Sequence, residues 1–152
     1  VFGPQKGAGP AQVAALEARL RQVVADAPRD PTGVPRTGCG GGISGGLWAH
    51  RGAELVPGAE LVLREVGFDA ALAEADLVIT GEGRLDAQTA LGKAVGAVAA
   101  AARDRGRPCH AIVGRDDLPR AASRQLGLSS VEQASTLAEI HTAAGRILSA
   151  AR

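Results

Sequence analysis

Apolar positions recur along this chain in helical spacing or in short continuous runs, and the switches between the two mark out its elements. From Ala11 to Ala25, Val13, Leu16, Leu20, Val23 and Val24 form one stripe, with Glu17, Arg19 and Arg21 mainly off it; that is a helix with one packing face, and Pro10 suits its first turn. Asp26 to Thr37 holds Pro28, Pro31, Gly33 and Pro35 and reads as a loop. Gly38 to Gly46 places six glycines in nine residues, after which Ser44 and Leu47 onward can begin a helix. Trp48 and His50 follow, read as a packing residue and a solvated side chain. Glu54 to Val56 predicts a brief strand, Pro57-Gly58 a turn, and Ala59 to Val66 a short helix stopped by Gly67. Asp69 is expected to cap a further short helix ending near Ala75.

The second half changes period. Asp76 to Thr80 is an apolar, β-branched run of the kind that forms a strand buried on both faces, and it is expected to stop at Gly81, Glu82 and Gly83. A loop then leads to Lys93, which opens a helix to Arg105 with Val95, Val98, Ala99 and Ala102 inward and Gly106 ending it. Pro108 to Val113 is the next buried strand, with His110 read as a satisfied core histidine; Leu118 to Leu126 is a helix and Leu128 to Val131 a third strand. The last helix opens on Thr136 and Glu139 in capping-box spacing and carries Leu137, Ile140, Ala144, Ile147 and Leu148 on one face. Strands separated by helices of this length make parallel crossovers, so the pattern predicts an α/β fold with a small parallel sheet and flanking helices. Such a sheet has uncovered edges, and something must complete it.

At 152 residues, 45% apolar and 22% charged, the chain suits one domain with a real core. A net charge of +1 and 2% aromatics offer neither the basic field nor the stacking platforms of a nucleic-acid binder. No apolar run nears the roughly 20 residues that span a bilayer, so a soluble cytoplasmic protein is the expectation, with no membrane partner. Cys39 and Cys109 match no metal-ligand spacing and read as reduced thiols.

Candidate chemistry gathers after the first predicted strand. In open parallel sheets ligands sit beyond the carboxyl ends of strands, where helix N-termini offer free N–H groups. Phosphoryl transfer needs donors around phosphates, a carboxylate for magnesium and an acceptor for the hydroxyl proton. Glu82 and Asp86 can hold Mg directly or through water, or one can act as base; Gly81, Gly83, Thr89 and Lys93 can contact phosphate oxygens. The plainer reading pairs both carboxylates with Arg84 or Lys93. Lys6 and Lys93 are the only lysines beside 15 arginines, which hints at positions wanting a compact ammonium for a phosphate or carboxylate. Gly40, Gly42 and Gly45 fit the dinucleotide fingerprint, but no buried strand precedes them; the turn is either a tight backbone approach or an anion cradle.

Four motifs in order carry a family resemblance. DLVITGEGRLDAQTALGK (Asp76 to Lys93) resembles the signature of the two-domain glycerate kinase family, and VFGPQKGAGP (Val1 to Pro10) a second motif of it. GCGGGISGGL (Gly38 to Leu47) resembles its glycine-rich turn, and GAELVPGAELVLREVGFDAAL (Gly52 to Leu72) the lead into the signature. The likeness weakens beyond Gly114, where Gly114-Arg115-Asp116-Asp117 departs from the small-residue loop of the family pattern. The resemblance implies ATP- and Mg-dependent phosphorylation of D-glycerate, with Glu82 and Asp86 catalytic and Lys6, Gly40 and Gly42 joining the binding residues. It implies that residues 67–152 are the C-terminal share of a flavodoxin-like (Rossmann-like) domain and 1–66 the tail of an inserted α/β domain. The chain is then expected to be the C-terminal part of a longer one and weakly active alone, with the missing N-terminal segment or another copy as partner. The alternative is a non-catalytic relative that binds a small anion or a partner chain; a nucleotide-dependent oxidoreductase ranks third.

Overall fold

A computed structural model describes residues 3–89 and 93–150. Val1 and Phe2 of the first motif, and Ala90, Leu91 and Gly92 of the signature, lie outside the described residues. The chain forms two compact units, Val1–Val56 and Pro57–Arg152.

In the first unit, helix α1 (Pro10–Ala25) starts at Pro10, as its place in the first turn predicts, with the Gly9 N–H donating to Gln12 Oε1 at 2.9 Å. Its stripe does not pack as expected: α1 has no buried residue, and Leu16, Leu20 and Val23 are more than half exposed. The glycine-rich segment folds into a 3₁₀ turn (Cys39–Gly42) that enters helix α2 (Ile43–Arg51). Gly40, Gly41 and Gly42 all have positive φ, a run that only glycine accepts without strain. The Ser44 hydroxyl reaches the carbonyls of Arg36 (2.7 Å) and Cys39 (3.0 Å), and a Cβ on Gly45 would lie 2.7 Å from the Thr37 carbonyl oxygen. Gly45 thus serves a tight backbone approach, whereas no atom lies within 4 Å of a Cβ placed on Gly41 or Gly42. Trp48 packs under Arg29, whose guanidinium carbon lies 3.9 Å from the ring centroid. Glu54 to Val56 forms no strand, since no neighbouring strand pairs with it among the described residues.

The second unit begins with α3 (Gly58–Glu65) and α4 (Phe68–Glu74), separated by Gly67 at φ 68°. Gly67, not Asp69, is the cap residue of α4; Asp69 sits in the first turn and pairs with Arg105 at 3.5 Å. Three parallel strands follow, β1 (Val78–Leu85), β2 (Cys109–Asp116) and β3 (Ser130–Gln133), side by side in that order. Helix α5 (Ala94–Asp104) links the first two and α6 (Arg120–Gln125) the last two, before α7 (Leu137–Ala150). The expected α/β class with a small parallel sheet and flanking helices is what the chain forms.

β1 does not stop at Gly81. It runs through Glu82 and Gly83 to Leu85, because the glycines let β1 and β2 close up: a Cβ on Gly81 would overlap the Ile112 carbonyl oxygen, and one on Gly114 would lie 2.7 Å from that of Gly83. One sheet face (Val78, Cys109, Ala111, Val113) packs on Val95, Ala99 and Ala102 of α5, with Leu72, Leu85 and Leu128 closing the core. Burial pushes the Cys109 thiol up to about 11, and both cysteines are free. His110 Nδ1 lies 2.8 Å from Ser130 Oγ across β2 and β3, satisfied as predicted. The Thr136 and Glu139 capping box forms: Glu139 Oε2 accepts from the Ser135 (2.6 Å) and Thr136 (3.1 Å) N–H groups, and Thr136 Oγ1 from that of Glu139 (3.3 Å). No helix among the described residues is long and apolar enough to cross a membrane.

Candidate active site

The site is built where β1 ends. Leu85 is fully buried and anchors the strand end, so the residues on either side of it have fixed positions. Asp86 turns the chain by accepting the Gln88 N–H on Oδ1 at 2.9 Å, and the Thr89 N–H then donates to the Asp86 carbonyl at 2.9 Å. That turn carries Thr89 inward, wholly buried, where its hydroxyl donates to Glu82 Oε1 at 2.6 Å and accepts from the Asp86 N–H at 3.3 Å. Gly96, in the first turn of α5, makes the fit possible: a Cβ there would lie 2.6 Å from the Thr89 carbonyl oxygen. Lys93 caps the N-terminus of α5, with Nζ 3.3 Å from Asp86 Oδ1 and 3.7 Å from Glu82 Oε2.

Two carboxylates thus converge on one ammonium at a helix N-terminus, each side chain only 17% exposed. The Gln88 N–H holds the Asp86 carboxyl below its ordinary range, against a smaller opposing effect of burial, and Lys93 and Arg84 lower it further. Asp86 therefore stays ionised and is a weak proton acceptor. Beside it, Asp117 accepts from Arg84 Nε (2.6 Å) and Arg115 Nε (2.7 Å), and those guanidiniums, Arg115 first, hold its carboxyl low as well. Among the described residues no group of three or more His, Cys, Asp or Glu side chains could hold a metal ion. A two-carboxylate site remains, which suits magnesium held by one or two carboxylates, water and substrate phosphates.

Of the predicted site residues, the structure brings Glu82, Asp86, Thr89 and Lys93 together. Thr89 enters as a brace, its hydroxyl proton committed to Glu82. Gly81 and Gly83 lie within β1 itself rather than in a loop. Lys6 lies exposed in the 3₁₀ turn Pro4–Lys6, and Gly40 and Gly42 in the glycine turn, all three in the first unit. The plain ion-pair reading is also visible, since Lys93 touches both carboxylates; Arg84 pairs mainly with Asp117. Sequence reasoning missed Gly96, Gly114, Arg115 and Asp117. A glycine inside an alanine-rich helix was the one available sign, and it pointed to Gly96.

A parallel α/β unit with this charged cluster at a strand end defines a class, and comparison with known proteins gives it a name. The glycerate kinase family model matches residues 1–151, so the chain belongs to the glycerate kinase family. It is 42% identical over 118 residues to the glycerate kinase of Halalkalibacterium halodurans, covering 75% of this chain and 31% of that one. It is 38% identical over 118 residues to the glycerate 2-kinase of Escherichia coli, with the same coverage. Among solved structures it resembles one assigned to glycerate kinase 2 of Salmonella typhimurium LT2, with TM-score 0.54 and 37% identity over 88% of this chain and 35% of that one. The chain spans about a third of the length of the curated relatives it matches.

Proposed function

We propose that the protein is a glycerate kinase that transfers the γ-phosphoryl group of ATP to a hydroxyl of D-glycerate with magnesium, in the cytoplasm. The observation that carries this reading is the convergence of Glu82 and Asp86 on Lys93 at the N-terminus of α5, in a member of this family. Phosphoryl transfer depends on positioning and charge neutralisation, and this cluster is equipped for both. Lys93 and the free N–H groups of the first turn of α5 receive phosphate oxygens. Asp86, kept ionised, would hold the magnesium, and that ion would supply charge neutralisation on the phosphates. Glu82, fixed through one oxygen by Thr89, keeps its other oxygen for the hydroxyl proton or for the metal. Lys6, Gly40 and Gly42 are read as phosphate- or substrate-binding residues of an inserted α/β domain whose tail is residues 1–66; residues 67–152 then belong to a flavodoxin-like domain.

The sheet requires completion. Ile79, Ile112 and Ile140 line an open cleft of ≈ 740 Å³ on the face opposite α5, and among the described residues β1 has a neighbour on one side only. We infer that further residues of a longer chain cover this face, since the matched segment is only 31% of each relative's length. The test of function is ATP-dependent phosphorylation of D-glycerate by the complete natural protein. Turnover that needs ATP, magnesium and D-glycerate together supports the reading; a folded protein that binds either ligand without turnover makes it a non-catalytic relative.

A further inference from the structure

The stretch Gly114-Arg115-Asp116-Asp117 lies where the sequence leaves the family pattern, and the chemistry proposed above uses none of it. The sheet register sets Arg84 of β1 directly opposite Arg115 of β2, and like charges so placed on adjacent strands repel. Asp117 joins them, with Oδ2 on Arg84 Nε at 2.6 Å and Oδ1 on Arg115 Nε at 2.7 Å. Its own backbone is fixed, because the Asp117 N–H donates to the Leu85 carbonyl at 2.9 Å and so ties the end of β2 to the end of β1.

Both guanidiniums are thus held through Nε alone, and among the described residues their terminal amino groups have no hydrogen-bond partner. The two side chains are 56% and 69% exposed, so as ion pairs they add little to stability. The carboxylates of Asp117 and Asp86, whose Oδ2 is 3.9 Å from Arg84 Nε, balance the two guanidinium charges, so what the pair offers a ligand, among the described residues, is its free terminal N–H donors. The pair sits at the carboxyl ends of two parallel strands, where open α/β sheets bind ligands.

We propose that Arg84 and Arg115, positioned by Asp117, form a clamp for an oxyanion of the substrates, either the carboxylate of the acceptor or a phosphate of the nucleotide. The proposal rests on the kinase reading for what its ligands are. Two planar forks side by side match the oxygens of either group, and a lysine cannot reproduce that match.

Isothermal titration of the complete natural protein with ATP, D-glycerate and inorganic phosphate tests it. Arg115→Gln is expected to weaken one of the two substrates about tenfold or more and leave the other within about threefold. Loss of D-glycerate affinity identifies the carboxylate as the ligand; loss of ATP and phosphate affinity identifies a phosphate. Arg115→Lys, which keeps charge and loses the fork, is expected to fall between wild type and Arg115→Gln, and Asp117→Asn to weaken the same ligand. Thermal unfolding checks each variant, and where Arg115→Gln does not fold, the other two decide. Affinities within about twofold of wild type for all three ligands in the folded variants overturn the clamp, as does a wild type that binds none of them. The two readings fail separately: a wild type with turnover whose affinities are unchanged in the variants removes the clamp alone, and a wild type without turnover whose phosphate binding is weakened in Arg115→Gln removes the kinase alone.

Discussion

Gly81 and Gly83 stand two residues apart on β1 and differ in what surrounds them. A Cβ on Gly81 would overlap the Ile112 carbonyl oxygen, whereas nothing lies within 4 Å of one on Gly83. Gly81→Ala is therefore expected to destabilise the protein by about 1–3 kcal/mol, the usual cost of forcing extra volume into packed structure, and Gly83→Ala to stay within about 0.5 kcal/mol. Denaturant titration of both variants checks this, and equal midpoints would contradict it. In sequence the same glycines read as the end of a strand, since glycine serves a turn and a close strand approach alike; which one applies is decided by Ile112 on the neighbouring strand. Glu82, Asp86 and Lys93 were legible because their meeting is local, one strand end followed by one turn. Arg84 and Asp117 are separated by 33 positions, and only the register brings them together. The contact of Thr89 with Glu82 was not legible for a related reason: the Thr89 hydroxyl faces back toward β1, which a linear motif does not reveal.

Among elements, helices were the more legible. The stripe and proline of α1, the alanine-rich α5 with its glycine stop and the capping box of α7 each encode their own limits, so the observed ends fall close to the expected ones. What the stripe of α1 packs against is not encoded in α1, and its apolar residues remain exposed. The same holds for the sheet. Alternation of apolar runs with helices gave three parallel strands, and the need for a cover followed from the small number of strands. Ile79 is 38% exposed on the open face and tests that cover directly. In the complete natural protein Ile79→Asp is expected to cost about 2 kcal/mol or more, because a buried, unpaired carboxylate is costly, whereas a solvent-facing site would tolerate it within about 0.5 kcal/mol. Thermal or denaturant unfolding distinguishes the two, and a near-neutral result would leave the face open to water.

For the whole molecule, family membership spans residues 1–151, while the charged cluster occupies one strand end of the second unit. The central claim is that this cluster performs the transfer. The most direct measurement is steady-state kinetics of Asp86→Asn and Glu82→Gln in the complete natural protein, with ATP and D-glycerate each varied. A group that holds the metal or takes the proton matters most in the transition state, so each variant should lose about 100-fold or more in kcat, roughly 3 kcal/mol, while KM shifts far less. An exposed ion pair, by contrast, is worth about 1 kcal/mol or less. The larger loss is expected in both variants, with thermal unfolding close to wild type. A kcat within about fivefold of wild type in both, the range of a broken ion pair, would contradict it and leave Glu82, Asp86 and Lys93 as structure.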